Sequence, residues 1–268
     1  MRNIAVLLVL VLFMMVPCVT ASITLLDVEG FNSYTVQPYP RVLSGQYGWA
    51  STGTSLVILD ASGDSSPFKD PYGDLPGIGV AFWNVKSNYY TLTGTDENDQ
   101  YQVEFTLYLS PYGTNTFGFR GVEVLDGGTL SYPFELIVSD VGDSSGNYTV
   151  QALAADGSVA FDTGSVFAPN SLNRLDVVIN ADFSKDVYTV GLTQWTPATW
   201  ESGTPVQTWT SNSISLKDSP DVALERIELF STNSGSPWTL LDDLKVSVVP
   251  EPATLLLLVL GGLFYRRK

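Results

Sequence analysis

Short runs in which apolar and polar residues alternate dominate the chain. In residues 101–109, apolar side chains occupy the odd positions from Tyr101 to Leu109, and mostly polar ones occupy the even positions. A period of two residues predicts a strand with one face in a core and the other toward solvent. Similar runs predict further strands at 55–60, 78–83, 116–125, 134–139, 148–153, 174–179, 187–192, 222–230 and 238–248.

Gly, Ser, Thr, Asn and Asp separate these runs at intervals of about ten residues, as in β-sandwiches and barrels. The polar residues 180–185 predict a hairpin connection between two strands, and residues 193–213 are the least regular stretch. No long segment has the period of an amphipathic helix. The pattern therefore predicts one all-β domain over residues 22–249.

The composition excludes several kinds of chemistry. The 268 residues include 28 acidic and 13 basic ones, a formal net charge of −15, which disfavours binding to nucleic acid or anionic lipid. There is no histidine, and the single cysteine, Cys18, lies in the first 21 residues. Ser-His-Asp triads, Cys-His dyads, disulfides and thiolate metal sites are therefore excluded from the domain.

The N-terminus has the three parts of a secretory signal peptide. Arg2 supplies the positive charge, residues 4–16 are apolar, and cleavage is predicted between Ala21 and Ser22. This assigns residues 1–21 to a removable signal helix. Lipidation of Cys18 is a weaker alternative, because Pro17 precedes it where a small residue is required, and an uncleaved anchor is another.

The C-terminus also has three parts: Pro250, Glu251 and Pro252, then the apolar segment 253–265, then the basic residues Arg266, Arg267 and Lys268. As a helix, the apolar segment spans only about 20 Å of a hydrocarbon core of about 30 Å. The basic residues act as a membrane stop by the positive-inside rule. The segment is thus predicted to be a short hydrophobic helix that holds the chain at a membrane transiently.

This arrangement resembles the PEP-CTERM sorting signal, whose tripeptide matches residues 250–252. The resemblance implies export, transient retention in the inner membrane, and cleavage near the tripeptide by an exosortase-type transpeptidase. It further implies a Gram-negative host that makes exopolysaccharide, with the processed protein at the cell surface or in the extracellular matrix. An ordinary short C-terminal anchor is the alternative.

A second resemblance concerns the domain. Residues 29–31 (Glu-Gly-Phe), 44–49 (Ser-Gly-Gln-Tyr-Gly-Trp), the hairpin 174–192 and the closing segment 240–246 are similar to concanavalin-A-like, or laminin-G-like, jelly rolls. The resemblance implies an antiparallel two-sheet sandwich in which the first and last strands are neighbours. It would bring Glu29 toward Asp242 and Asp243, where jelly rolls often hold a structural calcium ion.

Calcium is bound by carboxylate and carbonyl oxygens, so these three residues have suitable chemistry. The alternative is that they are ordinary acids at strand ends. Two further acidic loops, 96–99 and 140–143, lack EF-hand spacing and are typical of plain turns.

Hydrolysis of glycosides requires a pair of carboxylates. Jelly-roll glucanases of the laminarinase type carry Glu-x-Asp-x-x-Glu on one strand, and this sequence has no such motif. Three tryptophans could instead bind sugars through their flat faces: Trp195, Trp200 and Trp209. The alternative is that they pack loops onto the sheet, and this packing role is favoured for at least two of the three. The sequence therefore predicts a non-enzymatic surface or matrix protein associated with exopolysaccharide. A carbohydrate-binding module is the alternative, and a glycoside hydrolase is third.

Overall fold

The computed structural model describes residues 22–28, 41–51, 56–60, 78–81, 86–96, 99–109, 116–140, 147–164, 173–196, 199, 202–217, 223–232 and 239–249. Residues Thr24–Val248 form one compact unit. The predicted signal peptide and sorting tail lie outside the described residues, apart from the junctions at Ser22 and Val249, and so do the two helices predicted for them. Within the described ranges, no helix is long and apolar enough to cross a membrane.

The described part of the chain is built from strands and short turns. The strands are β1 (Ile23–Val28), β2 (Arg41–Val42), β3 (Trp49–Ser51), β4 (Val57–Asp60), β5 (Ile78–Ala81), β6 (Lys86–Thr91), β7 (Gln100–Leu109), β8 (Thr116–Val124), β9 (Leu130–Ser131), β10 (Glu135–Asp140), β11 (Tyr148–Leu153), β12 (Val159–Asp162), β13 (Asn173–Asp182), β14 (Val187–Trp195), β15 (Gln207–Thr210), β16 (Ile214–Ser215), β17 (Arg226–Ser231) and β18 (Thr239–Val249).

The strands of the described ranges form two sheets. One, with ten strands, has the order β15-β14-β13-β7-β18-β5-β4-β2, with β1 on β18 and β16 on β14. The other, with eight, has the order β12-β11-β10-β8-β17-β6-β3, with β9 on β8. The long pairs β13–β7, β13–β14 and β17–β8 are antiparallel. The prediction of an antiparallel two-sheet sandwich is confirmed, and β1 pairs with β18 as expected of the first and last strands.

The core lies between the two sheets and is filled by the inward-facing residue of every second position. On β7 these are the apolar residues at odd positions, as the alternation predicts. Phe105 of β7 stacks on Phe119 of β8 with ring centroids 5.1 Å apart, and Phe134 lies 6.3 Å beyond Phe119. The Phe105–Phe119 contact joins strands of different sheets, and aromatic pairs of this kind contribute beyond the area that they bury.

The hairpin between β13 and β14 is tighter than predicted. Residues 180–182, expected in a loop, continue β13, and only Phe183–Lys185 form a short 3-10 turn. Ala181 and Phe183 explain the difference, because both are buried, and Phe183 packs edge-to-face on Tyr101 at 5.3 Å. The left-handed conformation of Asp186, with φ of 53°, completes the turn.

Candidate functional site

Mostly polar side chains lie on the outer face of the ten-stranded sheet where β7, β13, β14 and β15 lie side by side. They alternate with the core residues, so they point away from the other sheet. The pairing arranges them in rows across the strands: Tyr108–Arg174–Trp195, Thr106–Asp176–Thr193–Thr208, Glu104–Val178–Gly191–Thr210 and Gln102–Asn180–Thr189. We call these four rows the outer platform.

Asp176 organises the Trp195 end of the outer platform. The indole Nε1 of Trp195 donates a hydrogen bond to Asp176 Oδ2 at 2.8 Å. Arg174 Nε donates to Asp176 Oδ1 at 2.7 Å, and Thr106 Oγ1 donates to the same oxygen at 3.2 Å. Three donors from three strands thus converge on one carboxylate. The hydrogen bond to Asp176 fixes the direction of the Trp195 ring. Because Trp195 is only half-buried, the ring also remains partly accessible.

The other end of the outer platform is made of uncharged groups. Gln102 Nε2 donates to Asn180 Oδ1 at 3.0 Å, so the two amides are held together across β7 and β13. Between the two ends lies Gly191, where an added Cβ would meet only the carbonyl oxygen of Val178, at 3.9 Å. The outer platform is therefore low and open at its middle.

Asp242 and Asp243 lie on β18, the neighbour of β7, near Tyr108. Leu241 and Leu244 both face the core, with two residues instead of one between them. This spacing is that of a β-bulge, and Asp243 takes the left-handed conformation, with φ of 51°, that the bulge needs. The Asp243 backbone N–H donates to Asp242 Oδ1 at 3.0 Å.

The bulge leaves the Asp242 carboxyl buried beside another acid. Burial first, and then the charge of Asp243, raises the pKa of Asp242 to about 7, against the opposing effects of the Asp243 N–H and Arg174. Burial also raises the pKa of Tyr108, while Arg174 lowers it and the charges of Asp242, Asp243 and Asp176 raise it further. Three carboxyl groups and one guanidinium therefore interact with Tyr108 at this edge of the outer platform.

The predicted calcium set is only partly within the described residues. Asp242 and Asp243 are adjacent on β18, whereas Glu29 lies outside them, directly after the end of β1. Among the residues that the structure describes, no group of three His, Cys, Asp or Glu side chains is arranged to hold a metal ion. The calcium site at these three residues stays a prediction.

The three tryptophans have different surroundings. Trp209 of β15 pairs with Leu192, a core position, and packs against the core. Trp195 pairs with Arg174 and faces outward. Trp200 lies outside the described residues, as do Ala21 and the predicted sorting residues Pro250, Glu251, Pro252, Arg266, Arg267 and Lys268, while Ser22 is described and exposed. Arg174, Asp176 and Asn180 are platform residues that the sequence analysis did not single out.

Comparison with protein families supports the interpretation of the C-terminus. A family model described as the PEP-CTERM protein-sorting motif matches residues 248–268. The predicted sorting motif is thereby confirmed, and it marks the chain as an exported protein with a C-terminal sorting tail. The match begins at Val248, inside β18. No curated protein sequence is significantly similar to the chain.

A solved structure supports the fold, and a second one is reported beside it. The CBM2 module of the evolved Dit protein of Lactobacillus casei BL23 phage J-1 is 10% identical, with a TM-score of 0.50 over 87% of this chain and 98% of the module. Lectin I from Ulex europaeus, solved with the methyl glycoside of α-L-fucose, is 9% identical, with a TM-score of 0.42 over 85% of this chain and 98% of the lectin. The predicted concanavalin-A-like jelly-roll fold is confirmed.

Proposed function

We propose that this chain is a non-enzymatic exported protein of the cell surface or extracellular matrix, which binds carbohydrate on its outer platform. The observation that carries the proposal is the Trp195 ring, which Asp176 holds next to the row of hydroxyl groups of Thr106, Thr193 and Thr208. Protein sites for sugars combine an aromatic face, which stacks on the ring of the sugar, with a few polar groups that bond its hydroxyls.

Preorganisation strengthens this interpretation. A side chain that is already ordered loses little conformational entropy when a ligand binds. Trp195 and Arg174 are both tied to Asp176, at 2.8 and 2.7 Å, so neither has to be ordered by a sugar. The exposed fractions of Arg174 and Asp176, 28% and 31%, leave polar surface for hydroxyl groups.

The sorting tail suggests where the carbohydrate is met. We expect an exosortase-type enzyme of a Gram-negative host to remove the tail after transient retention at the inner membrane, leaving the domain near the host's own exopolysaccharide. The short apolar segment 253–265 favours removal over permanent anchoring. Intact mass measurement of surface material should find no residues 255–268, and mature protein that retains Arg266, Arg267 and Lys268 contradicts this part of the proposal.

The binding part is tested on a column of immobilised matrix polysaccharide from the host. We expect wild-type protein to be retained and Trp195→Ala to pass through with its unfolding midpoint nearly unchanged. Trp209→Ala is the matched control: it removes an indole that packs against the core, so it should lower stability while the folded fraction is still retained. Equal retention of wild type and Trp195→Ala contradicts binding at the outer platform.

A glycoside hydrolase remains the competing activity, because acids on separate strands could form a catalytic pair. Incubation of the same polysaccharide with the protein, followed by a reducing-end assay, distinguishes the two. We expect no release above a blank without protein, and sustained release that depends on a carboxylate of the outer platform contradicts a purely binding role.

A further inference from the structure

We propose that the outer platform binds an internal stretch of a linear, uncharged glycan lying along β13 and β14, rather than a single terminal sugar. This inference rests on the proposed function, because it names the class of ligand for the same site. Three features carry it: the length of the outer platform, its open middle at Gly191, and its charges.

The length of the outer platform exceeds what one sugar ring can cover. Its first and last rows are centred on Arg174 and Asn180 of the same strand, six residues apart. At a rise of about 3.3 Å per residue, the polar groups extend over about 20 Å. The hydrogen-bonded amides of Gln102 and Asn180 form the end away from Trp195. A ligand that uses both ends must therefore be a chain of several sugar units.

Gly191 provides the passage between the two ends. Its neighbours in the same row, Val178 and Thr210, carry side chains, whereas Gly191 leaves the surface of β14 bare. A Cβ at this position would contact nothing closer than 3.9 Å, so packing does not require a glycine here. Its backbone is also outside the left-handed region, so conformation does not require one either. An extended ligand that crosses the outer platform at Gly191 would explain why this position carries no side chain.

The charges select against an acidic glycan. The guanidinium of Arg174 is already paired with Asp176, and Glu104 adds a second carboxylate to the outer platform. The whole chain has a formal net charge of −15, so a polyuronate would be repelled at long range as well. Carboxylates and amides accept hydrogen bonds from hydroxyl groups, which neutral sugars offer in quantity.

The test uses an array of neutral gluco-, manno- and galacto-oligosaccharides of one to six units, together with oligogalacturonates of the same lengths. We expect the full-length protein, kept in detergent, to bind at least one neutral series, with affinity rising at least tenfold from the dimer to the hexamer. Gly191→Leu should lower hexamer affinity at least tenfold by blocking the passage, while dimer affinity changes less than threefold. Gln151→Leu, which places the same side chain on β11 of the other sheet, should change neither.

Other outcomes overturn the inference. Equal affinity for monomer and hexamer, an unchanged hexamer affinity in Gly191→Leu, or tighter binding of oligogalacturonates would each contradict it. So would a lack of binding to every neutral series. These outcomes leave the proposed function standing as long as matrix polysaccharide retains the wild-type protein and not Trp195→Ala, so the two failures are distinguishable.

Discussion

Each sheet presents an arginine on its outer face, but the two arginines have different environments. On the eight-stranded sheet, the guanidinium of Arg120 lies 3.8 Å from the ring centroid of Tyr132 and 4.6 Å from that of Phe230. Its Nε donates to Glu228 Oε2 at 2.7 Å, and this carboxylate is only 7% exposed. On the ten-stranded sheet, Arg174 bonds Asp176 at the same distance of 2.7 Å, yet both side chains are about 30% exposed, at 28% and 31%.

Two ion pairs of equal length are therefore exposed to solvent to very different degrees. Arg120 is enclosed by aromatic rings and carboxylates, so its role is to neutralise buried acids and fill space. Arg174 and Asp176 remain open to solvent and also hold Trp195 in place. The first cluster should therefore contribute mainly to stability, and the second mainly to binding. Two experiments on matched positions of the two faces test this division, and a third concerns the buried acid Asp242 beside the outer platform.

The largest effect is expected from the two arginines. Arg120→Met leaves Glu228 buried without its cation, and breaking a buried pair in this way costs about 3–5 kcal/mol of unfolding free energy. Arg174→Met breaks a pair that water screens, which costs below about 1 kcal/mol. Urea unfolding of both variants provides the measurement. Similar losses of stability in the two would show that the exposed fractions do not separate structure from function.

The next effect concerns the buried carboxyl of Asp242. Its pKa is raised to about 7 from an ordinary 3.8. A raised pKa in the folded state stabilises the fold below about pH 4, and this stabilisation is lost as the pH rises through about 7. With about 1.4 kcal/mol per pKa unit, Asp242→Asn should become more stable than wild type by up to about 4 kcal/mol between pH 4 and pH 8.

Urea unfolding at several pH values in the presence of a chelator measures this difference. Adding calcium extends the experiment to the predicted metal site. A calcium ion held by Glu29, Asp242 and Asp243 would bind the ionised carboxyl of Asp242. Excess calcium should then restore the wild-type stability at pH 8 and leave Asp242→Asn unchanged. A stability difference independent of pH would mean that folding does not raise the pKa of Asp242.

The two faces also differ in how far the sequence predicts them. The alternation in 101–109 correctly places Thr106 and Tyr108 on the face opposite the core residues of β7, but both are buried, at 4% and 3% exposed, where the alternation predicts solvent. It cannot show that Arg174 and Asp176 lie beside them, because strands far apart in sequence pair in a register set by the whole sandwich. The outer platform depends on that register, so its rows become visible only in the structure.

Local signals that compete with the alternation account for the remaining differences. The run 238–248 predicts an uninterrupted strand. In the structure, Leu241 and Leu244 both face the core, so the two acids between them, Asp242 and Asp243, form a bulge. The polar residues around Ala181 are typical of a loop, but the burial of Ala181 and Phe183 extends β13. In both places, packing against the core overrides the local pattern.

The smallest effect, and the closest comparison of the two faces, comes from two glycines. Gly118 on β8 lies beneath Phe230, and an added Cβ would come within 2.5 Å of both the Leu136 carbonyl oxygen and the Phe230 ring. Gly118→Ala therefore forces the ring and the backbone apart, and overpacking of this kind costs about 1–3 kcal/mol. Gly191→Ala meets no such obstacle and should gain about 0.5 kcal/mol, because glycine weakens a strand.

Urea unfolding and retention on the matrix polysaccharide, measured on both alanine variants, complete the comparison. Gly118→Ala should lose stability and keep full retention once folded, because Gly118 lies on the eight-stranded sheet and not on the outer platform. Gly191→Ala should keep or gain stability and bind more weakly, although less weakly than the leucine variant, because a methyl group blocks the passage only in part. A loss of stability in Gly191→Ala, with retention unchanged, would indicate that this glycine serves the fold and that the two faces do not divide stability and binding between them.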